Sequence, residues 1–255
     1  MGFTGIKNLG NGRNFFQSMG IASLDRAGKL IQVDDVPFSC PDRDYEQIRA
    51  AGYYLGPKDA LGSDDGEEGG PILGWRDPYL VEETPDRIHA FWSAKTSARE
   101  GCVAHAALAR KGQGFEIERL YPPIKIPAGE IYTQTEVPKF YSNTQTGSHL
   151  MLISSCDRLY EGQPDSQVSK RLRLYTAGSL RGPWHPYRPE GSHVTNDDKL
   201  FGASAISCDF ISQELCLVAP MSETASPEDR LTIAPIFKLS FGTKASQSDT
   251  ALTRR

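Results

Sequence analysis

Apolar positions along this chain come in short runs punctuated by polar turns. Phe15 to Ser23 reads as a strand, Leu24 to Lys29 as a turn, and Leu30-Ile31-Gln32-Val33 resumes extended structure. Tyr79-Leu80-Val81, the polar turn Glu82 to Arg87 and the run Ile88 to Trp92 repeat that arrangement. Val103 to Leu108 follows, then a Lys111-Gly112-Gln113-Gly114 turn, then Phe115 to Leu120. Apolar and charged residues alternate in the last run, the mark of a half-exposed strand. Pro138 to Tyr141, His149 to Ile153, Leu172 to Thr176, Leu215 to Ala219 and Ile236 to Phe241 continue the series. The best helix candidate is Asp42 to Gly52, where Asp42 or Asp44 can cap and Tyr45, Ile48 and Ala51 share a face. Gly2 to Gly5 leads into a Gly/Asn-rich turn, Asn8 to Asn14. Residues 56–70 form an acidic, Gly-containing loop, read as a solvated linker or the rim of a site. Short strands with little helix predict an all-β sandwich, barrel or propeller. The strands group approximately as residues 1–33, 75–120, 134–178 and 200–241, which favours a propeller. There is no WD or kelch repeat.

Composition narrows the function classes. A chain of 255 residues makes one large domain or two small ones. A net charge of −4 suggests neither a nucleic-acid partner nor an anionic membrane surface. No apolar run has the length of a membrane span. The five cysteines are odd in number and lack CxxC spacing, so buried thiols are expected, with Cys102, Cys208 and Cys216 in apolar surroundings. The five histidines show no metal-ligand spacing, and no metal or cofactor is expected. Met1-Gly2-Phe3-Thr4 has neither the basic nor the apolar region of a secretion signal. Ile6 disfavours myristoylation.

Candidate chemistry begins at Gly74-Trp75-Arg76-Asp77-Pro78-Tyr79. Pro78 suits the start of a strand, where no ladder donor is needed, so Asp77 is expected at a strand entrance. Taken alone, Arg-Asp-Pro is far more often a surface turn. The second element is Tyr132-Thr133-Gln134-Thr135-Glu136-Val137-Pro138-Lys139-Phe140-Tyr141. Glu136 also stands just before a strand with a proline behind it. Alone it reads as an ordinary exposed glutamate. Two carboxylates at equivalent strand entrances of neighbouring propeller blades converge on one axis, which is the arrangement a glycosidase needs. The third element, Leu172 to Pro186, reads as a strand followed by Ser179-Leu180-Arg181-Gly182-Pro183-Trp184-His185-Pro186.

These elements, in this order, resemble glycoside hydrolase family 68, the levansucrases and related β-fructosyltransferases. Leu231-Thr232-Ile233-Ala234-Pro235-Ile236-Phe237 and the early strand Gln17-Ser18-Met19-Gly20-Ile21-Ala22 extend the resemblance over essentially the whole chain. The resemblance implies a five-bladed β-propeller acting on sucrose. It implies transfer of the fructosyl group, through a covalent fructosyl-enzyme, to water or to fructan or fructooligosaccharide acceptors. Carried over, Asp77 is the transition-state stabiliser and Glu136 the general acid/base. Arg76, Trp75, Gln134 and Arg158 are the substrate-binding set. Gln134 stands where the family has a second acid, and Val137 where an arginine is common. The family's nucleophile, an aspartate of the first blade, has no counterpart: Asp25 lies in a hairpin turn and Asp34-Asp35 follow a strand. The expectation is an incomplete propeller over residues 1–242, lacking its first blade and inactive by itself, followed by a polar tail at 243–255. The alternatives are a family 32 or 43 β-fructosidase or arabinosidase, or a non-catalytic sugar-binding propeller. Family analogy places the protein outside the cytoplasm, in the periplasm or beyond.

Overall fold

The computed structural model describes residues 1–8, 15–61, 73–126, 132–160, 162–194, 200–221, 232–233, 236–241 and 253–254. The Asn8–Asn14 turn beyond Asn8, the acidic loop beyond Leu61, and Leu231, Ala234 and Pro235 of the last motif lie outside these residues. The strands are β1 (Gly2–Asn8), β2 (Phe15–Leu24), β3 (Leu30–Val33), β4 (Arg76–Thr84), β5 (Arg87–Ser97), β6 (Glu100–Lys111), β7 (Gly114–Leu120), β8 (Gln134–Asn143) and β9 (Ser148–Cys156). They continue with β10 (Lys170–Ala177), β11 (His185–Pro186), β12 (Ser204–Asp209), β13 (Glu214–Val218), β14 (Pro220–Met221), β15 (Thr232–Ile233), β16 (Phe237–Ser240) and β17 (Thr253–Arg254). One α-helix, α1 (Tyr45–Ala50), interrupts them. The sheets run β1-β2-β3, β4-β5-β6-β7, β11-β10-β9-β8 and β12-β13-β16-β17, with β14 and β15 paired separately. The protein is all-β, and its main sheets follow the groups read from the apolar runs. The chain divides into two compact units, residues 1–138 with 156–169, and residues 139–155 with 170–255.

The first unit has an aromatic core. Trp75 and Trp92 meet edge to face at 5.1 Å, and Tyr53 and Phe38 flank them at 5.4 and 5.9 Å. β5 and β6 are the central strands of their sheet and are buried on both faces, so their sequences are near-continuous apolar runs. Alanines 90, 94, 104 and 106 leave room for the indoles. β7 lies at the sheet edge and keeps its alternation, with Phe115 and Ile117 packed inward. Ile48 of α1 is buried, and Tyr45 and Ala51 pack beside it. Asp44 holds the N-cap position without a side-chain cap bond. Its carboxylate instead accepts the Cys40 N–H and pairs with Arg43.

Strand β1 was not expected, because two glycines lower the strand propensity of Gly2 to Ile6. Its partner compensates. Phe3 sits opposite Gly20, and its ring occupies the space a side chain there would fill, with a Cβ only 2.4 Å from Phe3 Cζ. The strand is specified by fit to β2 rather than by its own residues.

The second unit is packed mainly with leucines: Leu150, Leu152, Leu172, Leu174, Leu215 and Leu217. After β10 the chain turns, with the Gly182 N–H donating to the Ser179 carbonyl, and Trp184 is buried against Phe140 at 5.5 Å. The Ser-Leu-x-Gly-Pro-aromatic segment is therefore a turn that buries its tryptophan. The cysteines depart from expectation. Cys40, Cys102 and Cys156 are buried, whereas Cys208 and Cys216 are half-buried, because β12 and β13 carry more exposed surface than β6 and β9. Among the described residues no helix is long and apolar enough to cross a membrane.

Candidate active site

The site is built where two strands begin. In β4, Arg76 pairs with Ser93, and the register then slips by one before Tyr79 pairs with Phe91. The slip falls on Asp77 and Pro78. Asp77 takes a left-handed backbone with φ of 61°, a conformation few non-glycine residues adopt. Its N–H, turned out of the ladder, donates to Thr4 Oγ1 of β1 at 2.9 Å. Its carboxylate Oδ2 accepts the Ser93 hydroxyl from β5 and the Val137 N–H from β8, each at 3.3 Å. Arg76 Nε stands 3.7 Å from the same oxygen.

In β8, Val137 is also left-handed, with φ of 49°, and also precedes a proline. A β-branched residue in that region is held there against its preference, at a cost of about 1–3 kcal/mol. The expectation that Asp77 and Glu136 occupy equivalent positions is corrected by one residue. Val137 is the counterpart of Asp77, and Glu136 is the counterpart of Arg76. Asp77 is at the strand entrance, as expected, whereas Glu136 is the third residue of its strand rather than just before it. The offset has a chemical effect, because it points Arg76 and Glu136 at each other. Arg76 Nη2 reaches Glu136 Oε1 at 3.2 Å. One guanidinium thus serves both carboxylates. All three side chains are about one-fifth to one-quarter exposed, at 18, 27 and 19% for Arg76, Asp77 and Glu136, so the cluster is sheltered yet open on one side. The Cys156 thiol lies 3.9 Å from Glu136 Oε1. Burial first, and the nearby Glu136 carboxylate second, push this thiol up to about 12.

Solved levansucrases share this arrangement of strands. A variant of Bacillus subtilis levansucrase matches with a TM-score of 0.59 and 13% identity, over 100% of this chain and 66% of its own. A B. megaterium variant gives 0.57 and 14%, over 94% and 61%. A levansucrase variant crystallised with sucrose gives 0.58 and 12%, over 100% and 66%. The fold is that of the levansucrases. The likeness is one of fold, and this chain spans less than two thirds of the length of those structures. No family profile matches the chain, and no curated protein does.

Within the levansucrase fold, the other expected sugar-binding residues are placed differently. Trp75 was expected on the sugar and is a core residue, only 2% exposed, with its indole N–H donated to Ser39 Oγ at 3.1 Å. It precedes β4 and packs between Tyr53 and Trp92. Gln134 is buried, and its amide donates to the Arg158 carbonyl at 3.4 Å. The Arg158 guanidinium holds the Gln163 carbonyl and the Asp165 carboxylate. It is Arg158's backbone that meets Gln134. Among the described residues no group of three or more His, Cys, Asp or Glu is placed to hold a metal.

Sequence reading missed Thr4, Ser93 and the Val137 amide. Ser93 carried a signal, as a buried hydroxyl inside an apolar strand needs a partner. Thr4 carried none, since its partner lies 73 residues away.

Proposed function

We propose that this chain carries the sugar-handling groups of a levansucrase-like fructosyl-transfer site, on a propeller whose blades are the main sheets described above. The observation that carries this reading is the single Arg76 guanidinium reaching both Asp77 and Glu136. In the proposed chemistry the substrate is sucrose. Glu136 protonates the glycosidic oxygen as the bond to glucose breaks, and Asp77 stabilises positive charge developing on the fructosyl ring. The fructosyl carbon bonds a carboxylate nucleophile as glucose leaves; Glu136 then takes the proton of the acceptor, water or a fructan hydroxyl, whose oxygen bonds that carbon as the ester to the nucleophile breaks. Arg76 and Ser93 fix the carboxylates before substrate arrives, so no reorganisation is needed during reaction.

A retaining mechanism also requires a carboxylate nucleophile. Two aspartates near β3 are engaged with backbone: Asp25 Oδ1 accepts the Ala27 and Lys29 N–H groups, and Asp34 Oδ2 accepts the Phe115 N–H. A second reading, sugar binding without turnover, is favoured by Gln134 and Val137, which replace charged groups that the resemblance leads one to expect. Gln134's amide is already committed to Arg158.

Release of glucose and fructose from sucrose separates the two readings. Turnover that falls about 10²–10⁴-fold in Glu136→Gln, and comparably in Asp77→Asn, supports fructosyl transfer. Sucrose binding by calorimetry without product, weakened by Asp77→Asn, supports the second reading. A folded chain that neither binds nor cleaves sucrose overturns both.

A further inference from the structure

The second unit contains a cleft that plays no part in the site above. Its volume is about 510 Å³, inside the range of roughly 300–1,000 Å³ usual for small-molecule sites. Asn143 borders it from the end of β8, His149 from the start of β9, and His185 from β11. The β12–β13 turn contributes Phe210 and Gln213, and Tyr187 is buried at its base. Phe210 is held edge to face against Phe241 at 5.7 Å. Gln213 takes a left-handed backbone, φ 56°, and its carbonyl accepts the Phe241 N–H at 2.9 Å. Ser142 Oγ and His149 Nδ1 share a hydrogen bond of 2.8 Å, which fixes that ring. Asn143 Oδ1 accepts the Gln145 and Thr146 N–H groups, so His149 and Asn143 are both held by neighbours.

The chemistry of the lining selects the ligand. Among the described residues no Lys, Arg, Asp or Glu borders the cleft. A phosphate or carboxylate ligand would meet no permanent cation, and a cationic ligand no carboxylate. A wholly apolar ligand would strip water from the Gln213 amide and the His185 imidazole, both at exposed positions. Neutral amide, hydroxyl and imidazole groups around aromatic surfaces match a ligand with many hydroxyls and an apolar C–H face. We propose that this cleft is a binding site for a neutral oligosaccharide. Asn143, His149, His185 and Gln213 take its hydroxyls, and Phe210 takes a C–H face of one ring. This proposal stands independently of the fructosyl-transfer reading, because it invokes neither Asp77 nor Glu136.

The test is titration calorimetry with a panel of neutral trisaccharides: fructo-, malto-, cello- and xylo-oligosaccharides. The variant carries His185→Ala and Gln213→Ala together, both at exposed positions. A matching urea midpoint confirms that it folds. At least one trisaccharide is expected to bind the parent, with affinity reduced by about tenfold or more in the double variant. Absence of binding by every trisaccharide at about 10 mM overturns the proposal. So does binding that survives the double variant and is lost in Asp77→Asn, which would assign the sugar to the first unit.

Discussion

At the scale of single residues, two prolines shape the site. The residue before a proline is ordinarily kept in extended backbone. Asp77 and Val137 both precede prolines, and both are left-handed. Aspartate tolerates this region, whereas valine resists it. What returns for the strain is an amide direction: the Asp77 N–H reaches Thr4, and the Val137 N–H reaches the Asp77 carboxylate. Glycine is free of the steric conflict, and Val137 is only partly buried. Val137→Gly should therefore leave urea stability within about 1 kcal/mol of the parent, or raise it. The same change at buried Val103 in β6, where φ is not left-handed, should cost about 3 kcal/mol or more. Equal losses at the two positions would remove the case for strain at Val137.

At the scale of elements, the start of β8 is set by a glycine in another strand. A Cβ on Gly101 of β6 would lie 2.9 Å from the Thr135 nitrogen and 3.0 Å from the Gln134 carbonyl carbon. Both are backbone atoms, which cannot rotate aside. The Gly101 N–H also donates to the Tyr132 carbonyl at 2.7 Å. Gly101→Ala must push the start of β8 outward and carry Glu136 away from Arg76. The expected cost is about 1–3 kcal/mol of stability, read by urea unfolding. Sucrose binding or turnover should fall with it. A Gly101→Ala protein as stable as the parent would show that this contact does not hold β8.

Strands are also where sequence reading did best. Alternation and continuous apolar runs are local signals, so β2 to β10 could be placed from them. β1 could not, since Phe3 has meaning only against Gly20. The site shows the same division. Proline-flanked carboxylates beside strands pointed to Asp77 and Glu136. The one-residue offset that makes Arg76 the shared partner depends on two backbone angles that composition does not encode. Trp75 was misplaced because its burial rests on Ser39, Tyr53 and Trp92, which are distant from it in sequence.

At the scale of the whole molecule, buried thiols couple stability to alkaline pH. Burial, with hydrogen-bonded Asp42 second, pushes Cys40 up to about 11, and burial pushes Cys156 up to about 12 and Cys102 further. In the unfolded chain each ionises near 8.5. The folded state thus retains protons that the unfolded chain releases. Stability is fully present below about pH 8.5 and declines as pH rises toward 11 and 12. A Tm series from pH 7 to 11 should fall above pH 9, and Cys156→Ala should flatten the fall. A Tm independent of pH across that interval would contradict the burial of these thiols.

The distribution of the indoles has a further, optical consequence. Trp75 and Trp92 touch in the core of the first unit, and the chain's third tryptophan, Trp184, is packed on Phe140 in the second. Two emitters in contact exchange excitation and share one environment, while the third reports on a different interior. Each unit carries its own built-in lamp. A pair of Phe substitutions at positions 75 and 92 leaves one, and a Phe at 184 leaves the other two. The emission spectra then follow the two units separately during unfolding or ligand binding, without a dye or a label.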